Sequence, residues 1–282
     1  MFLVSMQRQA CRGRARGLGL ACFTLLAYLL ASVPSAYATP IYIESRGTAL
    51  YTIDSDTGAS ALIGPYGVGG VLAQAFGPDG LLYAMFNAGS PLAHLATVNT
   101  QTGAATPIGA ATGVALQAMA FGADGTLYAG SFTTNNLYKV DLSTGAPTLI
   151  GSLGFNWIMD LAWDAANSTM YAIAAPPTCA GSSFYSINLA TGAGSLISNV
   201  SADNCLMALA ADSSGRLFAT GFMTSELYQI DAATGTATGI ANTGVMNTMG
   251  AAVAPVPEPA SILLFGSGAL GLARIVRRKR AS

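Results

Sequence analysis

The sequence has little charge and almost no histidine, lysine or glutamate. Only 9% of the 282 residues are charged, against about 25% in an average globular domain. Between residues 39 and 254, His94 is the only histidine, Lys139 the only lysine, and Glu44 and Glu226 the only glutamates. This excludes a site of several histidines and leaves few groups for acid–base chemistry. The chain also lacks a Gly-x-Ser-x-Gly nucleophile motif and a glycine-rich phosphate loop before a lysine.

The few charges are segregated along the chain. Nine of the 12 basic residues lie in segments 1–38 and 255–282, whereas residues 39–254 hold three basic and 12 acidic side chains. Because an acidic domain repels phosphate backbones, nucleic acid is not expected as a partner.

Residues 1–38 have the order of a secretory signal peptide. Arginines at 12–16 precede an apolar run at 18–31, and Ala-Tyr-Ala at 36–38 supplies a cleavage pattern. We therefore expect export and cleavage after Ala38. An uncleaved membrane anchor is the alternative, but the apolar run is short for a membrane span.

Residues 255–282 have three parts in a fixed order. Pro257, Glu258 and Pro259 precede an apolar stretch at 260–273, and a basic cluster at 274–280 follows it. The prolines end any preceding strand. The apolar stretch is about as long as a thin or tilted membrane helix, and the basic cluster should stay cytoplasmic. We therefore expect residues 39–254 to lie outside the membrane.

This tail resembles the PEP-CTERM sorting signal of Gram-negative bacteria, whose Pro-Glu-Pro motif matches residues 257–259. The resemblance implies processing by an exosortase-type membrane enzyme in a Gram-negative cell that makes exopolysaccharide. It also implies attachment to the membrane through the apolar helix before processing. The final location would be the cell surface, the outer membrane or the extracellular matrix. An ordinary C-terminal membrane anchor is the alternative interpretation.

Residues 39–254 contain one sequence motif five times, and this repeat is the strongest indication of their fold. Each copy contains a Thr-Gly pair and ends near an isoleucine. The glycines of these pairs, spaced by 45, 42, 47 and 43 residues, are Gly58, Gly103, Gly145, Gly192 and Gly235. A second motif alternates with the first. Together they predict four short strands, A to D, in each repeat.

Four-stranded units of about 40–50 residues are typical of β-propeller blades. Residues 40–64 contain strands B, C and D without an A, whereas residues 248–254 match strand A alone. Joined, the two segments complete a fifth blade and leave no open sheet edge at the closure. We therefore predict an all-β, five-bladed propeller over residues 39–254. A β-sandwich or an open β-solenoid would not explain a repeat that starts and ends one strand out of phase.

The repeat motif LYxID-x-x-TG with a terminal IG resembles bacterial propellers of the NHL, YVTN and quinoprotein-like groups. That resemblance implies the fold and hardly any function. The Asp or Asn of the motif is interpreted as a turn residue that bonds the backbone, and the glycine supplies a positive φ. No Asp-x-Asp-x-Asp calcium loop is present, and no metal site is predicted.

Asp160 is the one charged residue in a column of small inner-strand residues. Small side chains are required near the axis of a five-bladed ring, and the column beside Asp160 contains Ala75, Ala120, Ala162, Ala210 and Ala252. Two roles stay open for Asp160. It could coordinate a cation such as calcium, or a polar ligand, at the channel mouth, or it could cap a backbone amide. No other cofactor is indicated.

Cys179 and Cys205 are the two cysteines outside the signal peptide. They fall in a B–C loop and in the next D–A loop, which open on the same face of a propeller. An oxidising compartment favours a disulfide between them. A reactive thiol or a metal site is the alternative.

The same loops carry amides and aromatic rings. Tyr66, Asn156 and Trp157 fall in D–A loops, and Asn135 and Asn136 in a B–C loop. Aromatic surfaces flanked by amides suit the stacking and hydrogen bonding of sugars, and plain loop packing is the alternative. With Asp160, these residues form the candidate binding site, and no catalytic residue is assigned.

These features favour a non-enzymatic surface or matrix protein whose propeller binds a polymer or a protein partner, with exopolysaccharide as the first choice. A propeller enzyme acting on extracellular saccharides, such as a lyase or a lactone hydrolase, is the second hypothesis. A purely structural module is the third. Such enzymes need clustered His, Glu and Asp at the channel mouth, and Glu44 and Glu226 both fall away from the predicted inner strands. Binding is therefore favoured over catalysis.

Overall fold

The computed structural model describes residues 39–203 and 205–255, which form twenty strands and no helix. The strands make five antiparallel sheets of four strands each. The predicted signal peptide and sorting tail lie outside the described residues. Within the described ranges, no helix is long and apolar enough to cross a membrane.

Four blades are continuous in sequence and are numbered here in chain order. Blade 1 contains β4 (Ala73–Phe76), β5 (Leu82–Phe86), β6 (His94–Val98) and β7 (Ala105–Ile108). Blade 2 contains β8 (Leu116–Phe121), β9 (Leu127–Ser131), β10 (Asn136–Val140) and β11 (Pro147–Ser152). Blade 3 contains β12 (Ile158–Asp164), β13 (Thr169–Ala174), β14 (Ser182–Ile187) and β15 (Gly194–Val200). Blade 4 contains β16 (Leu206–Ala211), β17 (Leu217–Gly221), β18 (Glu226–Ile230) and β19 (Ala237–Asn242).

The closing blade combines the two ends of the domain. Its strands are β1 (Pro40–Ser45), β2 (Ala49–Asp54), β3 (Ser60–Pro65) and, as the inner strand, β20 (Ala251–Val253). β20 pairs antiparallel with β1 and aligns Ala252 with Tyr42. The inner strands β4, β8, β12, β16 and β20 each contact the inner strands of both neighbouring blades. The prediction of a five-bladed propeller closed by the first and last strands is therefore confirmed.

The hydrophobic core is divided among the gaps between blades. Five buried clusters are present, and each takes its side chains from two adjacent blades. The predicted alanine column is buried on the inner strands, and each alanine lies opposite an aromatic residue of strand B, as in the pair Ala162 and Tyr171. Small residues at the axis therefore leave room for large rings one strand further out.

The C–D turns have the chemistry that the repeat predicts. In blade 2, Asp141 Oδ1 accepts hydrogen bonds from the backbone N–H groups of Ser143 and Thr144, both at 2.9 Å. In blade 3, Asn188 takes the same role toward Ala190 and Thr191, at 2.9 and 3.2 Å. The Thr-Gly glycines have positive φ in all five turns. An Asp and an Asn therefore serve equally as acceptors in these turns.

Candidate functional site

The propeller has two faces that differ in chemistry. The B–C and D–A connections, at the ends where the inner strands begin, form the loop face. The A–B and C–D connections form the opposite side, the turn face. In an antiparallel four-stranded blade, alternate connections lie at opposite ends. The predicted binding residues belong to the loop face, and the C–D turns belong to the turn face.

Asp160 lies on the inner strand β12 with no exposed surface. Its Oδ1 accepts a hydrogen bond from the N–H of Leu161 at 2.9 Å. Its Oδ2 accepts from the N–H groups of Leu209 at 2.9 Å and Ala251 at 3.1 Å. These donors belong to three different inner strands. Asp160 therefore caps backbone amides across the axis, which is the second of the two roles that the sequence left open.

Burial raises the pKa of Asp160 well above its ordinary value, and the N–H groups around the carboxylate oppose that shift. The opposing donors belong to Leu209, Leu161, Ala251 and Met119, so blade 2 also contributes. The hydrogen bonds themselves come from three inner strands, through Leu161, Leu209 and Ala251. A group this enclosed offers no open position to a ligand in the described structure.

Glu44 is a second buried carboxylate, and the sequence analysis missed it as a site residue. It lies on β1 with no exposed surface and accepts hydrogen bonds from the N–H groups of Gly47 and Met249. Burial raises its pKa from 4.5 to about 8. Met249 lies two residues before the closing strand β20, so Glu44 fastens the last β-segment to the first. The available signal was an acid within an otherwise apolar strand, PIYIES.

The structure brings Asn135, Asn156 and Trp157 together on the loop face. Asn135 Nδ2 donates a hydrogen bond to Asn156 Oδ1 at 2.7 Å, across 21 residues of sequence. Trp157 follows Asn156, is 42% exposed and has a φ of 61°. A bulky residue rarely adopts the left-handed region, and such strain concentrates at functional positions. The exposed indole ring of Trp157 therefore lies next in sequence to Asn156, whose side-chain amide is bonded to that of Asn135.

Two other predicted site residues are placed differently. Tyr66 lies in a D–A connection, as predicted, but only 1% of its surface is exposed. Its hydroxyl donates to Gln74 Oε1 at 2.9 Å, and its ring belongs to a buried cluster that includes Val71 and Leu82. The expectation that Tyr66 offers a ring to a ligand is therefore corrected. Asn136 begins β10 and pairs with Ser152 in the sheet, at the edge of the group formed by Asn135 and Asn156.

The predicted disulfide joins Cys179 and Cys205, with Cα atoms 4.7 Å apart. It connects the B–C loop of blade 3 to the D–A connection that enters blade 4. Asp203 supports this connection, because its Oδ1 accepts from the N–H of Cys205 and its Oδ2 from the hydroxyl of Thr224, both at 2.7 Å. The loop face is thereby cross-linked between two neighbouring blades.

His94 is half-buried at the start of β6 and stacks on Phe86, with ring centroids 5.0 Å apart. Its Nδ1 lies 2.7 Å from the carbonyl oxygen of Leu92. Among the described residues, no group of three or more His, Cys, Asp or Glu is placed to hold a metal ion.

A cavity of about 270 Å³ opens on the axis at the turn face. It is lined by the ends of the five inner strands, including Phe76, Phe121 and Trp163. Val253, Ala254 and Pro255 form part of the same wall. This axial pocket lies at the opposite end of the inner strands from Asn156 and Trp157. No sequence motif marks this pocket, because most of its lining consists of the small and apolar residues of the inner strands and of the turns that follow them.

The two faces also differ in charge. The turn face carries eight of the twelve carboxylates of residues 39–254, of which Asp164 and Asp212 are buried and the other six are at least partly exposed: Asp54, Asp56, Asp79, Asp124, Asp141, Asp164, Asp212 and Asp231. Lys139 and Arg216 lie on the same side, and Arg216 pairs with Asp212 at 2.7 Å and Asp56 at 2.8 Å. On the loop-face side, Glu44, Asp160 and Asp203 are buried. The exposed loop face is therefore close to neutral, and the turn face is acidic.

Comparison with protein-family models gives two matches. A model described as a repeat of unknown function (DUF6923) matches residues 41–204. A model described as the PEP-CTERM protein-sorting motif matches residues 255–280, which confirms the resemblance identified from residues 257–259. No curated protein matches the chain.

Comparison with solved structures gives similar folds at low sequence identity. A chain of a nidogen/laminin complex is 10% identical, with a TM-score of 0.55, over 77% of this chain and 98% of that chain. A PQQ-bound aldose sugar dehydrogenase from Streptomyces coelicolor is 17% identical, with a TM-score of 0.49, over 78% and 88% of the two chains. Virginiamycin B lyase from Staphylococcus aureus is 10% identical, with a TM-score of 0.45, over 72% and 69%. At these identities the similarity concerns the fold alone.

Proposed function

The chain belongs to the family described as a repeat of unknown function (DUF6923), and from this premise we propose that its propeller binds a saccharide polymer through the loop face. The PEP-CTERM motif identifies an exported protein sorted to the surface of a Gram-negative cell. The proposal treats residues 1–38 as the signal peptide, 39–254 as the binding domain and 255–282 as the sorting tail. Exopolysaccharide is the polymer that such a setting supplies.

The group formed by Asn135, Asn156 and Trp157 carries the proposal. An indole that is 42% exposed presents apolar area on which a sugar ring can stack. The exposed amide of Asn156 provides both a donor and an acceptor for sugar hydroxyls, and Asn135 holds that amide in place through its hydrogen bond to Asn156 Oδ1. Sites for small polar ligands commonly combine aromatic surface with a few placed polar groups.

The charge of the loop face supports the same class of ligand. Its carboxylates Glu44, Asp160 and Asp203 are buried and bonded to protein donors. Glu226 is half-buried at the start of β18, and Arg46 is exposed. A face without exposed clustered carboxylates does not repel neutral or anionic polysaccharides, whereas the acidic turn face would repel anionic ones.

A glycan array probed with the purified protein tests the proposal. We expect binding to one or more extracellular polysaccharides and a roughly tenfold or greater loss of affinity in Trp157→Ala, since aromatic anchors dominate such contacts. Leu92→Ala is the matched control, because Leu92 is a loop-face residue, 65% exposed, outside the amide group. Binding that Trp157→Ala leaves unchanged, or an array with no bound glycan, would contradict the proposal.

A further inference from the structure

The chain leaves the propeller at the centre of the turn face. The last strand, β20, ends at Val253, and Val253, Ala254 and Pro255 line the axial pocket. Pro78 and Ser213, from the A–B turns of blades 1 and 4, line the same pocket. The point of departure is therefore surrounded by turns from other blades.

The sorting motif begins very close to this point. Pro257 is the second residue after Pro255. A fully extended chain spans at most about 3.6 Å per residue, so Pro257 lies within about 7 Å of Pro255 along the chain. A protein that grips residues 257–259 must therefore come within a few ångströms of the A–B turns around the axis. The motif itself implies such a protein, because PEP-CTERM tails are processed by an exosortase, a membrane enzyme.

The charge of the turn face indicates what kind of surface can approach it. Hydrogen bonds from hydroxyl and backbone groups lower the pKa of Asp54 and Asp231, and they lower the pKa of Asp141 to about 2. These turn residues are therefore ionised at neutral pH. A face with these charges repels anionic lipid headgroups and attracts a protein surface with Lys and Arg side chains.

We propose that the turn face docks on the membrane enzyme that processes the tail, against a cationic surface beside that enzyme's motif-binding cleft. The loop face, with Asn156 and Trp157, then points away from the enzyme. This inference rests on the sorting motif and the exit point of the chain, and it does not depend on saccharide binding.

Site-specific photo-crosslinking in cells that contain the processing enzyme tests the proposal. The full-length chain would carry p-benzoylphenylalanine at Pro78, an exposed turn-face residue, or at Met223, a loop-face residue that is 61% exposed. We expect a crosslink to the enzyme from position 78 and none from position 223. Equal crosslinks from both positions, or crosslinks from position 78 to lipid alone, would overturn the proposal.

Charge variants provide a second measurement that does not depend on crosslinking. The triple substitution Asp54→Asn, Asp141→Asn and Asp231→Asn removes three turn-face charges. It preserves the turns, because Asn99 and Asn188 already serve as the acceptors in blades 1 and 3. We expect conversion of the full-length precursor to slow by about threefold or more, as for the loss of complementary charges in an encounter. Glu226→Gln, which removes a loop-face charge, should leave the conversion rate unchanged.

A spacer tests whether docking depends on the short distance between the exit point of the chain and the motif, or only on recognition of the motif. Inserting twelve Gly and Ser residues between Pro255 and Val256 keeps the motif intact but lets the enzyme bind it far from the domain. We expect the insertion to abolish the crosslink from position 78 and to make conversion insensitive to the triple charge variant. If position 78 still crosslinks to the enzyme when the spacer is inserted and the motif is disrupted, docking does not depend on the exit point of the chain, and the proposal is overturned. Failure of glycan binding would leave all these readouts unaffected.

Discussion

Asp160 accepts a hydrogen bond from the backbone N–H of Ala251 at 3.1 Å, although 91 residues separate them in sequence. Ala251 begins the strand that closes the ring, and Asp160 lies on the inner strand of blade 3. The same carboxylate accepts from Leu209 of blade 4. The ring closure therefore depends on a buried polar group at the axis as well as on the pairing of β20 with β1.

Replacing Asp160 with alanine should destabilise the protein strongly. The substitution leaves the N–H groups of Leu161, Leu209 and Ala251 buried without their acceptor. Because a buried unsatisfied group costs about 1–3 kcal/mol, we expect a loss of several kcal/mol in the free energy of unfolding. Asp160→Asn keeps one acceptor oxygen and should lie between the wild type and the alanine variant. Urea unfolding of the purified protein gives both values.

Asp231→Ala serves as the control for this prediction. Asp231 is an exposed turn acceptor that bonds the N–H groups of Ala233 and Thr234. Since water can replace an exposed acceptor, we expect a much smaller loss in the free energy of unfolding than for Asp160→Ala. Similar unfolding midpoints for Asp160→Ala and Asp231→Ala would show that the axial carboxylate does not hold the inner strands together.

The disulfide should contribute substantially to stability. Cys179 and Cys205 are 26 residues apart, and closing a loop of that length restricts the unfolded chain by about 3 kcal/mol. We expect the double variant Cys179→Ser and Cys205→Ser to unfold at lower urea concentration by a corresponding amount. Mass spectrometry of the wild-type protein after alkylation without reductant should detect neither cysteine as a free thiol. Alkylation of both cysteines would contradict the pairing.

The ring of five blades could be predicted from the sequence because it depends on a pattern that repeats along the chain. The five Thr-Gly pairs give the number of blades. Residues 40–64 lack an inner strand A, and residues 248–254 match strand A alone. The disulfide followed from the same periodicity, since Cys179 and Cys205 fall in loops that open on one face. These features depend on strand order alone, which the repeat determines.

The candidate site was predictable only in part, because depth within a loop depends on neighbouring blades. Tyr66 is in the predicted connection, but its ring belongs to a buried cluster between the closing blade and blade 1. The role of Asp160 as an acceptor for backbone amides follows from its hydrogen bonds with the N–H groups of Leu209 and Ala251, which belong to other blades. Glu44 escaped notice because its partner Met249 lies 205 residues away in sequence. None of these contacts can be read from the repeat.

The contact between blade 3 and blade 2 at a C–D turn can be tested with one methyl group. Gly192 has a φ of 83°, and a Cβ there would lie 2.8 Å from the backbone oxygen of Gly151 on β11. Gly80 has a φ of 78°, with no atom within 4 Å of the corresponding position. Both alanine variants suffer the strain of the left-handed region, about 1–2 kcal/mol. Only Gly192→Ala also displaces a neighbouring blade.

We therefore expect Gly192→Ala to lower the free energy of unfolding more than Gly80→Ala does. The difference between the two variants measures the packing of the turn on the adjacent blade, since the backbone strain is common to both. Urea unfolding with an unchanged slope gives the comparison. Equal losses of unfolding free energy in the two variants would show that the added methyl group at Gly192 does not disturb the packing of blade 3 on blade 2.

Stability should reach its maximum in weakly acidic solution, because the shifted carboxyl groups act in opposite directions. Burial raises the pKa of Glu44 from 4.5 to about 8. Between these values the folded protein holds a proton that the unfolded chain releases, so stability falls as pH rises through this window. Asp160, whose pKa is also raised by burial, acts in the same sense. The pKa of Asp141 is lowered to about 2, and those of Asp54, Asp124 and Asp231 are lowered as well, so these four carboxyl groups contribute stability that is lost as pH falls below 3.8.

Urea unfolding at pH 3, 5, 7 and 9 should therefore give the highest midpoint near pH 5. Each proton held only by the folded state changes the slope by about 1.4 kcal/mol per pH unit, so the decline from pH 5 to pH 8 should be measurable. Glu44→Gln cannot ionise and should reduce that decline, leaving the part that Asp160 contributes. A wild-type midpoint that does not vary between pH 5 and pH 9, or a slope unaffected by Glu44→Gln, would contradict the assignment of Glu44 as a carboxyl that burial keeps protonated.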